Sequence, residues 1–296
     1  KEIFEDLSSS SPMKRLLQGD VGSGKTIVAA AGVYAAIKNG KQVALMAPTE
    51  VLAEQHLNSF EKYLNFFDID MYILTSSVKD RKSVMKVIDN GDPALIIGTH
   101  ALIQENIKFN NLGLAIIDEQ QRFGVEQRKK LMISKGLIPH QLVMTATPIP
   151  RTTALAIYGD LELSIIDEMP PGRKKINSKV LSGGKRESSK VFSIAHDHLE
   201  KKSQIFVVCP YIEESENSDI KAAEKVYELY KSEFSTYNVA LLHGKMKPDE
   251  KENKMLKMKN GEIDIMVSTV VIEVGIDITN ATLMIIESAE RFGLNQ

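Results

Sequence analysis

With 296 residues, 43% of them hydrophobic and 26% charged, the chain has the make-up of a globular protein with apolar material for one large core or two. No apolar run approaches the ~18 residues of a membrane span, and no charged-then-apolar leader opens the chain, so a cytoplasmic protein is expected. The net charge of −2 carries no global basic signature for nucleic acid, although backbone N–H groups can hold phosphates without one. The single cysteine, Cys209, excludes an internal disulfide and reads as a buried thiol in the run IFVVCP.

In chain order, apolar runs of strand length recur: RLLQG (15–19), QVALMAP (42–48), ALIIGTH (94–100), LAIID (114–118) and QLVMTAT (141–147), then QIFVVCP (204–210), VALLHG (239–244), IDIMVST (263–269) and TLMIIES (282–288). Continuous rather than alternating runs suit strands covered on both faces, as in parallel sheets between helices. Helix-like segments fall between them. In TIVAAAGVYAAIKNGK (26–41), Ile27, Ala30, Ala31, Tyr34 and Ile37 share one predicted face, and Asn39-Gly40 supplies the stop. The alternation predicts an α/β fold. Pro170, Pro171 and Gly172 interrupt the pattern within DEMPPGRKKINSK (167–179), which reads as a linker between domains 1–170 and 171–296. His196 and His198 in AHDHLE stand two apart on a predicted helix and face different directions, against a metal pair.

One segment carries specific chemistry. GDVGSGKT, residues 19–26, fits G-x-x-x-x-G-K-[S/T] between a predicted strand and a predicted helix, the setting a phosphate cradle requires. Across Gly19, Asp20, Val21, Gly22, Ser23 and Gly24, the glycines at 22 and 24 let the backbone curl so that its N–H groups converge on phosphate oxygens. The helix beginning near Lys25 adds its positive end. Lys25 is expected to reach the β- and γ-phosphates, and the Thr26 hydroxyl to ligate Mg²⁺. The bland alternative is a glycine-rich turn with a surface lysine. A magnesium nucleotide also explains a second oddity, the apolar run LAIID that ends in adjacent acids, where a solvated loop would be the other reading. Asp118 is placed to hold the metal, and Glu119 to orient and polarise an attacking water.

Taken together, GDVGSGKT, LMAPTEVLAEQH (45–56), GTHALIQE (98–105), IIDEQQRFGVEQR (116–128), MTATPIPRT (144–152), CPYIEES (209–215), LLHGKMKPDEK (241–251) and STVVIEVGIDI (268–278) resemble the ordered motifs of superfamily-two helicases. The set is most similar to the RecG type of branched-DNA helicase, from about Met13 to Gln296. The resemblance implies two RecA-like domains, each a mainly parallel sheet with helices on both faces, and ATP with Mg²⁺ between them. It implies that Gly19 to Thr26 bind phosphates, that Gly275 and Asp277 close the nucleotide cleft, and that Gln121, Thr145, Ala146 and Thr147 couple nucleotide state to DNA grip. Thr49, Thr99, His243 and Thr269 would line the face that holds single-stranded, duplex or branched DNA. Each of these residues, taken alone, also reads as a helix cap or turn. The implied activity is that of a monomeric DNA motor in repair and recombination.

Three departures from the family pattern stand out. The DEQH box ends here in Gln121, an amide that hydrogen-bonds but cannot titrate near neutrality. ERFGLNQ ends the sequence before the expected arginine-finger motif, so weak hydrolysis by this stretch is expected. KEIFEDL begins it without the wedge domain or the adenine-reading glutamine segment. Competing readings are the motor of a transcription–repair coupling factor, a P-loop small-molecule kinase, and a non-catalytic nucleotide-gated module. The kinase reading leaves the second α/β domain without a task.

Overall fold

The computed structural model describes residues 1–78, 80–104, 107–119, 123–124, 127, 131, 138–146, 161–168, 176–182, 185–210, 216–269 and 278–292. The chain divides into two compact units, Lys1–Lys175 and Ile176–Gln296.

The first unit runs α1 (Glu2–Leu7), β1 (Lys14–Gly19), α2 (Lys25–Lys38), β2 (Gln42–Met46), α3 (Glu50–Leu64), β3 (Met71–Leu74), α4 (Arg81–Asn90), β4 (Leu95–Gly98), β5 (Leu112–Asp118), β6 (His140–Thr145) and β7 (Glu162–Ile166). Its described strands form a seven-stranded sheet in the order β3-β4-β2-β5-β6-β1-β7, every neighbouring pair parallel. The continuous apolar runs serve two cores at once. Val43 and Leu45 of β2 and Leu114 and Ile116 of β5 enter the core on one face. Ala44, Met46, Ala115 and Ile117 enter the core on the other. That is the side-chain alternation of a strand buried on both sides.

The second unit contains α5 (Lys185–Glu200), β8 (Gln204–Cys209), α6 (Glu216–Glu233), β9 (Val239–Leu242), α7 (Pro248–Lys259), β10 (Ile265–Thr269) and β11 (Ala281–Ile286). Its described strands form a parallel sheet in the order β11-β8-β10-β9. Ile205, Val207, Ile265 and Val267 face one core, and Phe206 and Met266 the other. Cys209 is buried, and burial pushes its thiol up to about 12, which makes it an inert core residue. His196 packs against the Phe234 ring, while His198 Nδ1 lies 2.8 Å from Thr282 Oγ1, so the two rings serve different neighbours.

Both units use a glutamine for the same purpose. Gln204 opens β8 with a buried side chain whose Nε2 donates to Met258 O and Ile263 O, each at 2.6 Å. Gln42 opens β2, and its Nε2 donates to Val87 O at 2.9 Å and Ile88 O at 3.2 Å. In each case the amide adds a donor to carbonyls at or just beyond a helix C-terminus, where the backbone supplies few. Gln204→Leu, similar in volume but without a donor, is expected to cost ~1–3 kcal/mol, because Ile263 O loses its donor while Met258 O keeps the Gly261 N–H. Urea unfolding checks this, and a loss well under about 1 kcal/mol would show that the Ile263 carbonyl finds another partner.

Every predicted run lies on a strand, but two strands were not predicted. β3 and β7 are short, and β7 is only partly covered. The predicted face of α2 requires correction. The buried side chains are Ala29, Ala30, Val33, Ala36 and Ile37, whereas Ile27 is 53% exposed. So many alanines leave the helix nearly featureless in hydrophobicity, and packing against α1, α3 and the sheet chose the face instead. No helix among the described residues is long and apolar enough to cross a membrane.

Candidate nucleotide-binding site

The strand order places the chemistry. β6 separates β1 from β5, and its register sets Thr145 beside Gln18 and Met144 beside Asp118. The loop after β1, the acids after β5 and the segment after β6 therefore leave the sheet at one edge, the carboxyl end of parallel strands where such folds bind ligands. Two strand spacings separate β1 from β5, about 10 Å.

The loop folds as its glycines demand. Gly22 and Gly24 adopt φ of +77° and +100°, a region costly for side-chain-bearing residues. A Cβ on Gly19 would lie 2.5 Å from Ser23 Oγ and 3.1 Å from Ile166 Cβ, so only glycine lets the loop close against β7. Two loop N–H groups are used internally: Val21 N donates to Asp20 Oδ1 at 2.7 Å and Ser23 N to Asp20 O at 3.1 Å. Gly24 offers no side chain to cap α2, and no acidic residue stands in its first turn. The positive helix end is thus open to an anion. Ser23 Oγ is buried with no hydrogen-bond partner, a donor that suits a phosphate oxygen.

Lys25 Nζ donates to Gly19 O at 2.7 Å and to Asp20 O at 3.0 Å, folding back over the loop. Burial lowers its pKa, and the nearby charges of Asp118, Glu119 and Asp20 oppose that fall. The ammonium and the acidic couplet therefore share one electrostatic environment. Asp118 Oδ1 accepts from Glu119 N at 3.1 Å, and its Oδ2 lies 2.7 Å from His56 Nε2. Glu119 takes φ of +48° as the chain turns sharply off β5, and its N–H also donates to Met144 O at 3.0 Å. Its Oε1 accepts from Ala146 N at 3.3 Å, joining the couplet to the segment after β6.

The remaining expected positions divide. Thr49 caps α3, its Oγ1 accepting from Leu52 N at 3.3 Å. Thr99 and Thr269 are 2% and 4% exposed, and the Thr99 hydroxyl has no partner, so contact with a nucleic-acid strand there would fall to turn N–H groups. Thr145 is buried at the end of β6. His243 follows β9, where burial and Lys254 hold its pKa down. Gln121, Thr147, Gly275 and Asp277 lie outside the described residues. The sequence reading missed His56 although it quoted the motif containing it. Its signal was a polar ring on the apolar stripe Ala53, Phe60 and Leu64 of α3.

A DEAD/DEAH box helicase profile matches residues 1–155, just over half of the chain, and a helicase conserved C-terminal domain profile matches residues 188–294. The chain belongs to the DEAD/DEAH box helicase family. Within these helicases its similarity runs to RecG. It is 52% identical over its whole length to the ATP-dependent DNA helicase RecG of Aquifex aeolicus and 50% identical to that of Haemophilus influenzae. It spans 37% and 43% of the length of those relatives. The structure of RecG bound to a three-way DNA junction superposes with a TM-score of 0.86 at 41% identity, covering 99% of this chain and 38% of that one. Dbp5 of S. cerevisiae bound to RNA and ADP BeF3 matches at a TM-score of 0.61 and 17% identity, a likeness of fold alone. These matches make the units two RecA-like domains, as the motif order implied.

Proposed function

We propose that the chain is an ATP-driven DNA motor of the RecG type that remodels branched DNA in repair and recombination, working in the cytoplasm as a monomer. The observation that carries this reading is the convergence of Lys25 with Asp118 and Glu119 at one sheet edge, in a chain half identical to RecG. Domains 1–170 and 171–296 are read as the two halves of the motor, with Gly275 and Asp277 completing the nucleotide site.

In this reading the loop N–H groups, the Ser23 hydroxyl and Lys25 bind the β- and γ-phosphates of ATP. The Thr26 hydroxyl and the Asp118 carboxylate are hard oxygen donors suited to Mg²⁺. Bound Mg²⁺ would neutralise charge on the triphosphate. Glu119 takes the proton of the attacking water and orients it. Its bond from Ala146 N–H carries any change at the acid to the segment that ends β6 and follows it (Thr145, Ala146 and Thr147), which is read as the coupling element with Gln121. Thr49, Thr99, His243 and Thr269 are read as the DNA face, gripping the backbone without reading bases.

In the full-length protein, branched DNA is expected to raise the ATP hydrolysis rate at least tenfold over the DNA-free rate. Equal rates would overturn the motor reading, and phosphate transferred to a small molecule would establish the kinase instead. A Gln121→His exchange is expected to change the stimulated rate by less than tenfold, since the amide already supplies both hydrogen-bonding roles. A steady-state assay across pH 6–8 measures it.

A further inference from the structure

Asp118 is held at both carboxylate oxygens, and the two holders differ in kind. The Glu119 N–H on Oδ1 comes with the turn itself, while His56 reaches Oδ2 from another element, 62 residues away in the chain. We propose that His56 is a positioning residue that sets the Asp118 carboxylate for magnesium, a role that rests on the reading of Asp118 as the metal ligand.

Three observations support it. First, the side chains of His56 and Asp118 are only 10% and 13% exposed, so water competes little for their 2.7 Å contact. Second, His56 occupies a position that packing alone would give to an apolar residue. It lies in the stripe with Ala53, Phe60 and Leu64 of α3, its ring 6.3 Å from that of Phe60. A polar ring there is useful only through its partner. Third, the geometry leaves Asp118 able to ligate. Each carboxylate oxygen has two lone pairs, and one hydrogen bond on each leaves one per oxygen in a fixed plane. Toward an ionised carboxylate, Nε2 is the protonated ring nitrogen. A ligating carboxylate fixed in this way by a hydrogen-bond donor outside the ligand set is a recurring means of tuning metal affinity.

The contact also joins two elements of the unit. Thr49 caps the start of α3, and His56 lies about 10 Å further along that helix. The capped helix thereby gives the donor a rigid mount, and the carboxylate keeps its orientation before any nucleotide arrives.

The test is a magnesium titration of nucleotide binding, followed by the fluorescence of a labelled ATP, with a parallel binding curve in EDTA. His56→Phe keeps the ring volume and removes the donor. It is expected to raise the Mg²⁺ concentration for half-maximal binding about tenfold or more, with affinity in EDTA unchanged. His56→Gln can return a donor to the position of Nε2 and is expected to restore the magnesium dependence to within about threefold. His56→Asn, whose amide falls short of Asp118, is expected to resemble the Phe variant and serves in its place if that variant does not fold. An unchanged magnesium requirement in a folded Phe or Asn variant would overturn the proposal. So would a parallel loss of binding with and without magnesium, which would mark His56 as structural only. Magnesium-independent binding by the unsubstituted chain would overturn the reading of Asp118 as a metal ligand, and the role of His56 with it.

Discussion

Lys25→Ala is expected to weaken binding of magnesium-ATP at least a hundredfold, about 2.7 kcal/mol, while the apo protein still melts cooperatively. The ammonium is half-buried, and its burial is unfavourable enough to lower its pKa, yet its hydrogen bonds go to two carbonyls of its own loop. A buried cation on neutral acceptors is an arrangement whose gain comes with a ligand. A phosphate oxygen offers a charge-assisted bond roughly twice as strong as a neutral one. Alanine removes that bond and the counter-charge for Asp118 and Glu119 together, so the two acids would repel the triphosphate unopposed. Isothermal titration with a non-hydrolysable ATP analogue measures the loss. A decrease under threefold, in a protein whose melting is unaltered, would mean that the loop is only a glycine-rich turn.

The second large effect concerns turnover rather than binding. Glu119→Gln should lower ATP hydrolysis by roughly 10²–10⁴-fold, the range for removal of a general base, and leave magnesium-ATP affinity within threefold. The glutamine amide oxygen can still accept the Ala146 N–H, and its side chain has the same length at the same φ of +48°. What it cannot do is receive a proton from water. A non-glycine residue in the left-handed region at the end of a buried strand is a position held by its surroundings, here by the bonds from Glu119 N to Met144 O and Asp118 Oδ1. Single-turnover hydrolysis separates the chemical step from nucleotide release. A rate within tenfold of the parent's would move the base elsewhere.

These two effects were foreseeable from residue order, and the His56 contact was not. The glycine loop is a local pattern, since glycine spacing decides how a few consecutive residues curl, and Gly22 and Gly24 take φ of +77° and +100°. The acidic couplet was legible for a related reason, as a strand interior has no use for adjacent carboxylates. Helix α2 shows where such reading stops. With alanine at five of its fourteen residues, hydrophobicity along the helix barely varies, and Ile27, placed inward by the pattern, is exposed.

By itself, then, the sequence determined the parallel α/β character, the positions of the nine predicted strands within a few residues and the curl of the glycine loop, because continuous apolar runs and glycine spacing act over one or two turns of chain. Only the tertiary structure decided that β6 lies between β1 and β5, that α2 turns its alanines inward, that Gln42 and Gln204 close helix ends, and that His56 meets Asp118. Those facts depend on which surfaces pack against one another across long stretches of chain. Lateral strand order and side-chain pairing are settled by the burial of whole sheets, and no short window of residues records them.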